Sequence, residues 1–212
     1  MKTILCYGDS LTWGYDPRGP GRHAYEDRWP SVLAGELGDR VRIAVEGLNG
    51  RTTGFDDHLG GTDRNGLRVL PTLLTTHAPL DLIIVMLGTN DLKPFICGRA
   101  VGARAGMQRI IEIVRRHEYP LGAAAPEMVV VAPPTPRQAA DPIFREQFAG
   151  AAEEGAKLAA FYRELAALYG YAFFDAGEAA VTSPIDGIHL DAENTRAIGA
   201  ALAPVVRKAL GI

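Results

Sequence analysis

Cysteine is scarce in this sequence: Cys6 and Cys97 are the only two among 212 residues. Two thiols build no disulfide framework, and no Cys-x-x-Cys pair or Cys/His cluster offers metal-ligand spacing, so no metal is expected. A strong charge of either sign is lacking too. Lys and Arg number 22 against 25 Asp and Glu, for a net charge of −3 and a pI near 6.0. No basic run suited to a phosphate backbone occurs, which argues against nucleic acid and anionic membranes as partners. No apolar run is long enough to cross a bilayer. Met1-Lys2 leads directly into an apolar segment, without the apolar core and small-residue cleavage site of a secretory leader, so the expected location is the cytoplasm.

Apolar side chains are plentiful, at 47% of the chain, enough for a sizeable core. They fall in two alternating patterns. Short, nearly continuous apolar runs at 3–7, 82–87 and 128–132 read as buried strands, and the mixed runs at 41–46 and 171–174 as further short strands. Leu82-Ile83-Ile84-Val85-Met86-Leu87 has the composition of a central parallel strand covered on both faces. Segments with helical spacing lie between and after them, at 29–37, 67–77, 100–116 and 192–210, the last with Asp191 as N-cap. One long alanine-rich helix is predicted over 144–169, interrupted by Gly150 and Gly155. Five strands alternating with helices call for an α/β fold: a three-layer α/β/α sandwich around a five-stranded parallel sheet, flavodoxin-like in layout. No repeat or linker interrupts the chain, so residues 1–212 are read as one domain.

In such sheets ligands bind beyond the carboxyl ends of the strands. Ser10 stands there, in Gly8-Asp9-Ser10-Leu11 after the first strand. A serine needs a base, an orienting acid and an oxyanion hole before it acts as a nucleophile. Asp186-Gly187-Ile188-His189 offers the first two. His189 changes charge near neutral pH, and Asp186 sits three residues earlier to hold the other ring nitrogen. The oxyanion donors are the Ser10 and Gly50 backbone N–H groups and the Asn90 side-chain amide, from Gly47-Leu48-Asn49-Gly50 and Gly88-Thr89-Asn90-Asp91.

These four blocks, in this order, resemble those of the SGNH (GDSL) hydrolase superfamily, with Ser10, Gly50, Asn90 and His189 as the block letters. The resemblance spans nearly the whole chain. Tyr7 to Tyr15, Asp27-Arg28-Trp29, Glu46 to Thr53 and Asp81 to Asp91 are closer still to the bacterial arylesterase/acyltransferase branch. That resemblance implies a cofactor-free serine esterase acting on short acyl esters, acetate esters of aryl alcohols among them. An acyl group on Ser10 would pass to water or to another alcohol. It also implies a homo-oligomer whose loops narrow the entrance. Carbohydrate acetylesterases, lysophospholipases and thioesterases share the same four blocks.

Each residue also has a plainer reading. Ser10 alone fits a turn or a helix cap; with Asn90 and His189 in company, the nucleophile reading prevails. Asp9 is read as structural support near the substrate pocket, and Asp91 as fixing its own loop. Leu11, Trp13 and Tyr15 are pocket candidates, although the two aromatics fit the core or an interface equally well. Ile143 and Phe144 suit a substrate lid or an oligomer contact. Arg51 is expected in solvent, and His23, His58, His77 and His117 as solvated or structural. A second class of function is a non-enzymatic binding protein, with Gly8-Asp9-Ser10 cradling a phosphate. That reading leaves Asn90, Asp186 and His189 without a purpose.

Overall fold

Residues 1–19 and 21–212 are described by the computed structural model. Five strands, β1 (Lys2–Gly8), β2 (Val41–Gly47), β3 (Leu82–Met86), β4 (Glu127–Ala132) and β5 (Ala172–Asp175), pair in the order β2-β1-β3-β4-β5. Every pairing is parallel, with Ile4 opposite both Ile43 and Leu82. All five residues of β3 are fully buried or nearly so, as its unbroken apolar run predicts, whereas β2 at the sheet edge is half-exposed.

Alternate residues along each strand supply opposite faces, and so make two cores. Leu5, Tyr7, Ile83, Val85, Met128 and Val130 face helices α3 (Gly66–His77), α4 (Ala100–Arg116) and α7 (Leu158–Tyr169). Ile4, Cys6, Ile84, Met86 and Val129 face α2 (Trp29–Leu37) and α8 (Ala192–Leu210). The result is the three-layer α/β/α sandwich. Cys6 is a buried apolar filler whose thiol burial pushes far up. Asp191 caps α8, its carboxylate accepting from the Asn194 N–H at 2.8 Å.

Three details depart from the sequence reading. The single helix expected over 144–169 is three helices: α5 (Pro142–Gln147), α6 (Ala151–Gly155) and α7. The chain turns at Gly150, which adopts φ +79°, and Gly155 packs so closely on Pro136 that a Cβ would lie 2.6 Å from its Cδ. A one-turn helix, α1 (Ser10–Trp13), follows β1 directly and is too short to show a period. Helix α3 begins at Gly66, one residue before the expected range, and holds Pro71 in its interior. Among the described residues no helix is long and apolar enough to cross a membrane.

Candidate functional site

The carboxyl edge of the sheet gathers the four motif loops. Strand β1 delivers Ser10 to the start of α1, where Asp9 accepts from the Leu11 N–H at 2.9 Å and caps the helix. Loops after β2 and β3, the strands flanking β1, bring Gly50 and Asn90 to either side. The fourth loop comes from far downstream. Its backbone pairs with the loop after β4: Arg137 N–H donates to Gly187 O at 2.9 Å, and Ala140 N–H to Pro184 O at 3.0 Å. Gly187 adopts φ +74° with room for nothing larger, since a Cβ there would meet Arg137 O at 2.1 Å.

Ser10, His189 and Asp186 form one hydrogen-bonded chain. Ser10 Oγ lies 2.8 Å from His189 Nε2, and His189 Nδ1 lies 2.6 Å from Asp186 Oδ2. Nδ1–H donates to the carboxylate, which leaves Nε2 as an acceptor for the serine hydroxyl. Burial raises Asp186, but the His189 hydrogen bond and charge and the Ile188 and His189 N–H groups outweigh it, holding the carboxyl below its ordinary value. Its Oδ2 fixes the orientation of the ring through Nδ1. All three side chains are buried, and the Tyr15 ring covers the imidazole at 4.2 Å.

The expected oxyanion donors border the same space. Gly50 adopts φ +84°, and among the described residues its N–H finds no acceptor. Ser10, as the first residue of a helix, has an N–H with no acceptor inside that helix. Asn90 Nδ2 donates to Arg51 O at 3.1 Å and, at the longer 3.3 Å, to Asp9 Oδ2. A cavity of about 350 Å³ opens onto Ser10, Gly50, Asn90 and His189. Its outer wall is Leu59, Phe95, Phe144, Phe148 and Ile188, with Asp57, Arg64 and Lys93 as the charged members. Among the described residues no group of three or more His, Cys, Asp or Glu side chains is placed to hold a metal ion.

Not every candidate reaches this cavity. Tyr15 lines it and Asp9 lies buried beneath it. Leu11 instead enters the core with Cys6 and Trp29. Trp13 points away, its ring carrying the Arg22 guanidinium 4.6 Å from the centroid. Phe144 lines the cavity, while Ile143 is exposed. Arg51 is buried, contrary to the expectation of a solvated side chain. Its Nη1 donates to Gly8 O at 2.8 Å and to Glu46 O, and its guanidinium stacks on Tyr7 at 4.3 Å, tying the β1 and β2 ends together. His23 is structural, buried with Nε2 2.9 Å from Leu190 O. Asp57, Arg64, Lys93 and Phe148 went unnoticed in the sequence because they lie in loops and short helices without periodicity; only their proximity in space gives them meaning.

A model of the GDSL-like lipase/acylhydrolase family matches residues 6–197. Among solved structures, a carbohydrate acetylesterase family member from Sinorhizobium meliloti is 58% identical over 100% of both chains, with a TM-score of 0.99. The native aryl esterase of M. smegmatis is 40% identical over 99% of this chain and 100% of its own, at 0.94. A second S. meliloti carbohydrate acetylesterase is 40% identical over 98% and 99%, at 0.93. No curated protein sequence matches.

Proposed function

This chain belongs to the GDSL-like lipase/acylhydrolase family and is a carboxylic ester hydrolase, and from that premise we propose that it cleaves short-chain esters, aryl acetates among them, through an acyl group carried on Ser10. The observation that carries the reading is the Ser10–His189–Asp186 chain, at 2.8 and 2.6 Å, opening onto a small cavity.

In this reading Ser10 Oγ attacks the ester carbonyl as His189 Nε2 takes its proton. The carbonyl oxygen gains charge and is met by the Ser10 and Gly50 N–H groups and by Asn90 Nδ2. The amide turns to it by giving up the longer of its two contacts, the one to Asp9. The tetrahedral adduct collapses, His189 hands its proton to the departing alcohol, and an acyl-serine remains. Water or a second alcohol then attacks by the reverse sequence. The apolar outer wall favours an alcohol over water as acceptor, which gives the enzyme an acyltransferase side activity. Exposed Leu59 and Phe95 in the cavity wall, with exposed Ile143 next to Phe144 in the chain, support assembly into a homo-oligomer. A cytoplasmic location belongs to the same reading.

The carbohydrate acetylesterase relatives favour a second reading of the same chemistry, removal of acetyl groups from sugars. The test is turnover of p-nitrophenyl acetate, butyrate, octanoate and dodecanoate, with and without added alcohol, by wild type and Ser10→Ala. A preference for the shortest acyl groups that is abolished in Ser10→Ala, with a new ester formed from the alcohol, is the expected result. Rates rising with chain length would move the assignment to a lysophospholipase or thioesterase. Turnover by Ser10→Ala would overturn the mechanism.

A further inference from the structure

The cavity beside Ser10 holds two cationic side chains in its wall against one carboxylate. Asp57, Arg64 and Lys93 line it together. Arg64 Nη1 pairs with Asp57 Oδ2 at 2.6 Å, so that carboxylate is engaged. Among the described residues no carboxylate lies within ion-pair distance of Lys93 Nζ. The ammonium lies 5.3 Å from the Phe148 ring centroid and 5.9 Å from that of Phe95. Arg64 Nε is a second unmet donor, buried without an acceptor. The cost of partly desolvating a cation is recovered when a partner of opposite charge arrives beside it.

Both donors stand by the oxyanion side of the site. Lys93 follows Asn90 by three residues, and its N–H donates to Asn90 O at 3.3 Å. Arg64 leans on Gly50, where a Cβ would lie 2.7 Å from Nε. The charged groups facing Lys93 are Asp57 and Arg64 in the wall and Asp9 and Asp91 underneath. Burial pulls its ammonium below the ordinary value, as expected of a cation short of partners.

We propose that Lys93 and Arg64 form a recognition site for a carboxylate on the ester, so that the preferred substrates carry one negative charge close to the scissile bond. A planar guanidinium edge beside a point charge suits a carboxylate, and the cavity has room for a small substrate. The proposal rests on the esterase reading above and adds the substrate class to it. The charge can reside on the alcohol part or on the acyl part, and the experiment separates the two.

Two matched pairs of esters provide the test. 4-Acetoxybenzoate and its methyl ester differ by one charge on the alcohol side. Mono-4-nitrophenyl succinate and its methyl ester differ by one charge on the acyl side. Values of kcat/KM, corrected for spontaneous hydrolysis and scaled to the hydroxide-catalysed rate, are compared for wild type, Lys93→Met and Lys93→Glu. Wild type is expected to prefer the acid of one pair by about tenfold, mainly through KM, the scale of one charge-assisted hydrogen bond. Lys93→Met should abolish that ratio and Lys93→Glu invert it. Raising the salt from about 0.02 to about 0.5 M should shrink the wild-type ratio, a readout that needs no variant to fold. An acid preference absent from both pairs, insensitive to salt, or intact in Lys93→Met overturns the proposal. Failure of the esterase reading looks different: the neutral esters would then go unhydrolysed, or would be hydrolysed equally by Ser10→Ala.

Discussion

Thr53 gives both of its donors to Asp91: the backbone N–H reaches the carboxylate at 3.0 Å, and the hydroxyl binds it as well. Both residues are completely buried. The pair joins the loop that carries Gly50 to the loop that carries Asn90, and so sets the separation of two proposed oxyanion donors. Thr53→Val keeps the shape and removes the hydroxyl. It is expected to cost about 1–3 kcal/mol of stability and to lower kcat about tenfold with little change in KM. Urea unfolding and steady-state kinetics check both; an unchanged kcat would detach this pair from the site.

The same link constrains α4 from behind. A Cβ on Gly106 would lie 1.9 Å from Thr53 Oγ1. Gly106→Ala ought therefore to behave as a functional lesion at a helix residue that never touches substrate. The hydroxyl is pushed off Asp91, kcat falls with Thr53→Val, and combining the two changes adds little further loss of activity. Full additivity in that double-mutant cycle would refute the coupling.

Two buried carboxyls give stability an unusual pH dependence. Burial pushes Asp91 up to about 7 and Asp9 up to about 6, against the hydrogen bonds from Thr53 and Leu11. Both values exceed those of the unfolded chain, so between about pH 4 and pH 7 the folded state holds more protons, and these groups make it less stable as pH rises. Asp186 has the opposite sign: held low, it contributes stability above its unfolded value that is lost on acidification. Asp91→Asn removes one rising cost. Its melting temperature, compared with wild type, should improve between pH 5 and pH 8; parallel curves for the two proteins would rule this out.

Asp186→Asn addresses orientation of the base. The amide cannot anchor His189 in the tautomer that leaves Nε2 free, and kcat should fall by roughly four orders of magnitude while the circular dichroism spectrum is retained. A loss below about tenfold would assign orientation to the Tyr15 ring instead.

Much of the architecture was legible because burial writes a period into the chain. Leu82 to Met86 could only be an inner strand, and α2, α4 and α8 occupy the ranges that their apolar spacing marks. The proposed nucleophile, base and acid were legible because each stands in a short motif, and the structure brings them within hydrogen-bond reach. What escaped has no local signature. Arg51 is buried because backbone carbonyls from two strands converge on it, a fact of three-dimensional pairing. Leu11 and Trp13 share a motif with Ser10, but one turn of helix sends them elsewhere. Gly150 and Gly155 marked interruptions in the alanine-rich stretch, but not that the chain divides there into three separate helices, which follows from the φ of +79° at Gly150.

Ser10, Gly50 and Asn90 follow three adjacent hydrogen-bonded strands, whereas Asp186 and His189 ride on a loop held by its backbone pairing with another loop. The two halves of the site are thus held by different kinds of contact. If the loop pair opens before the sheet does, activity is expected to fade on heating while the far-ultraviolet circular dichroism is still whole, and to return on cooling without refolding of the sheet.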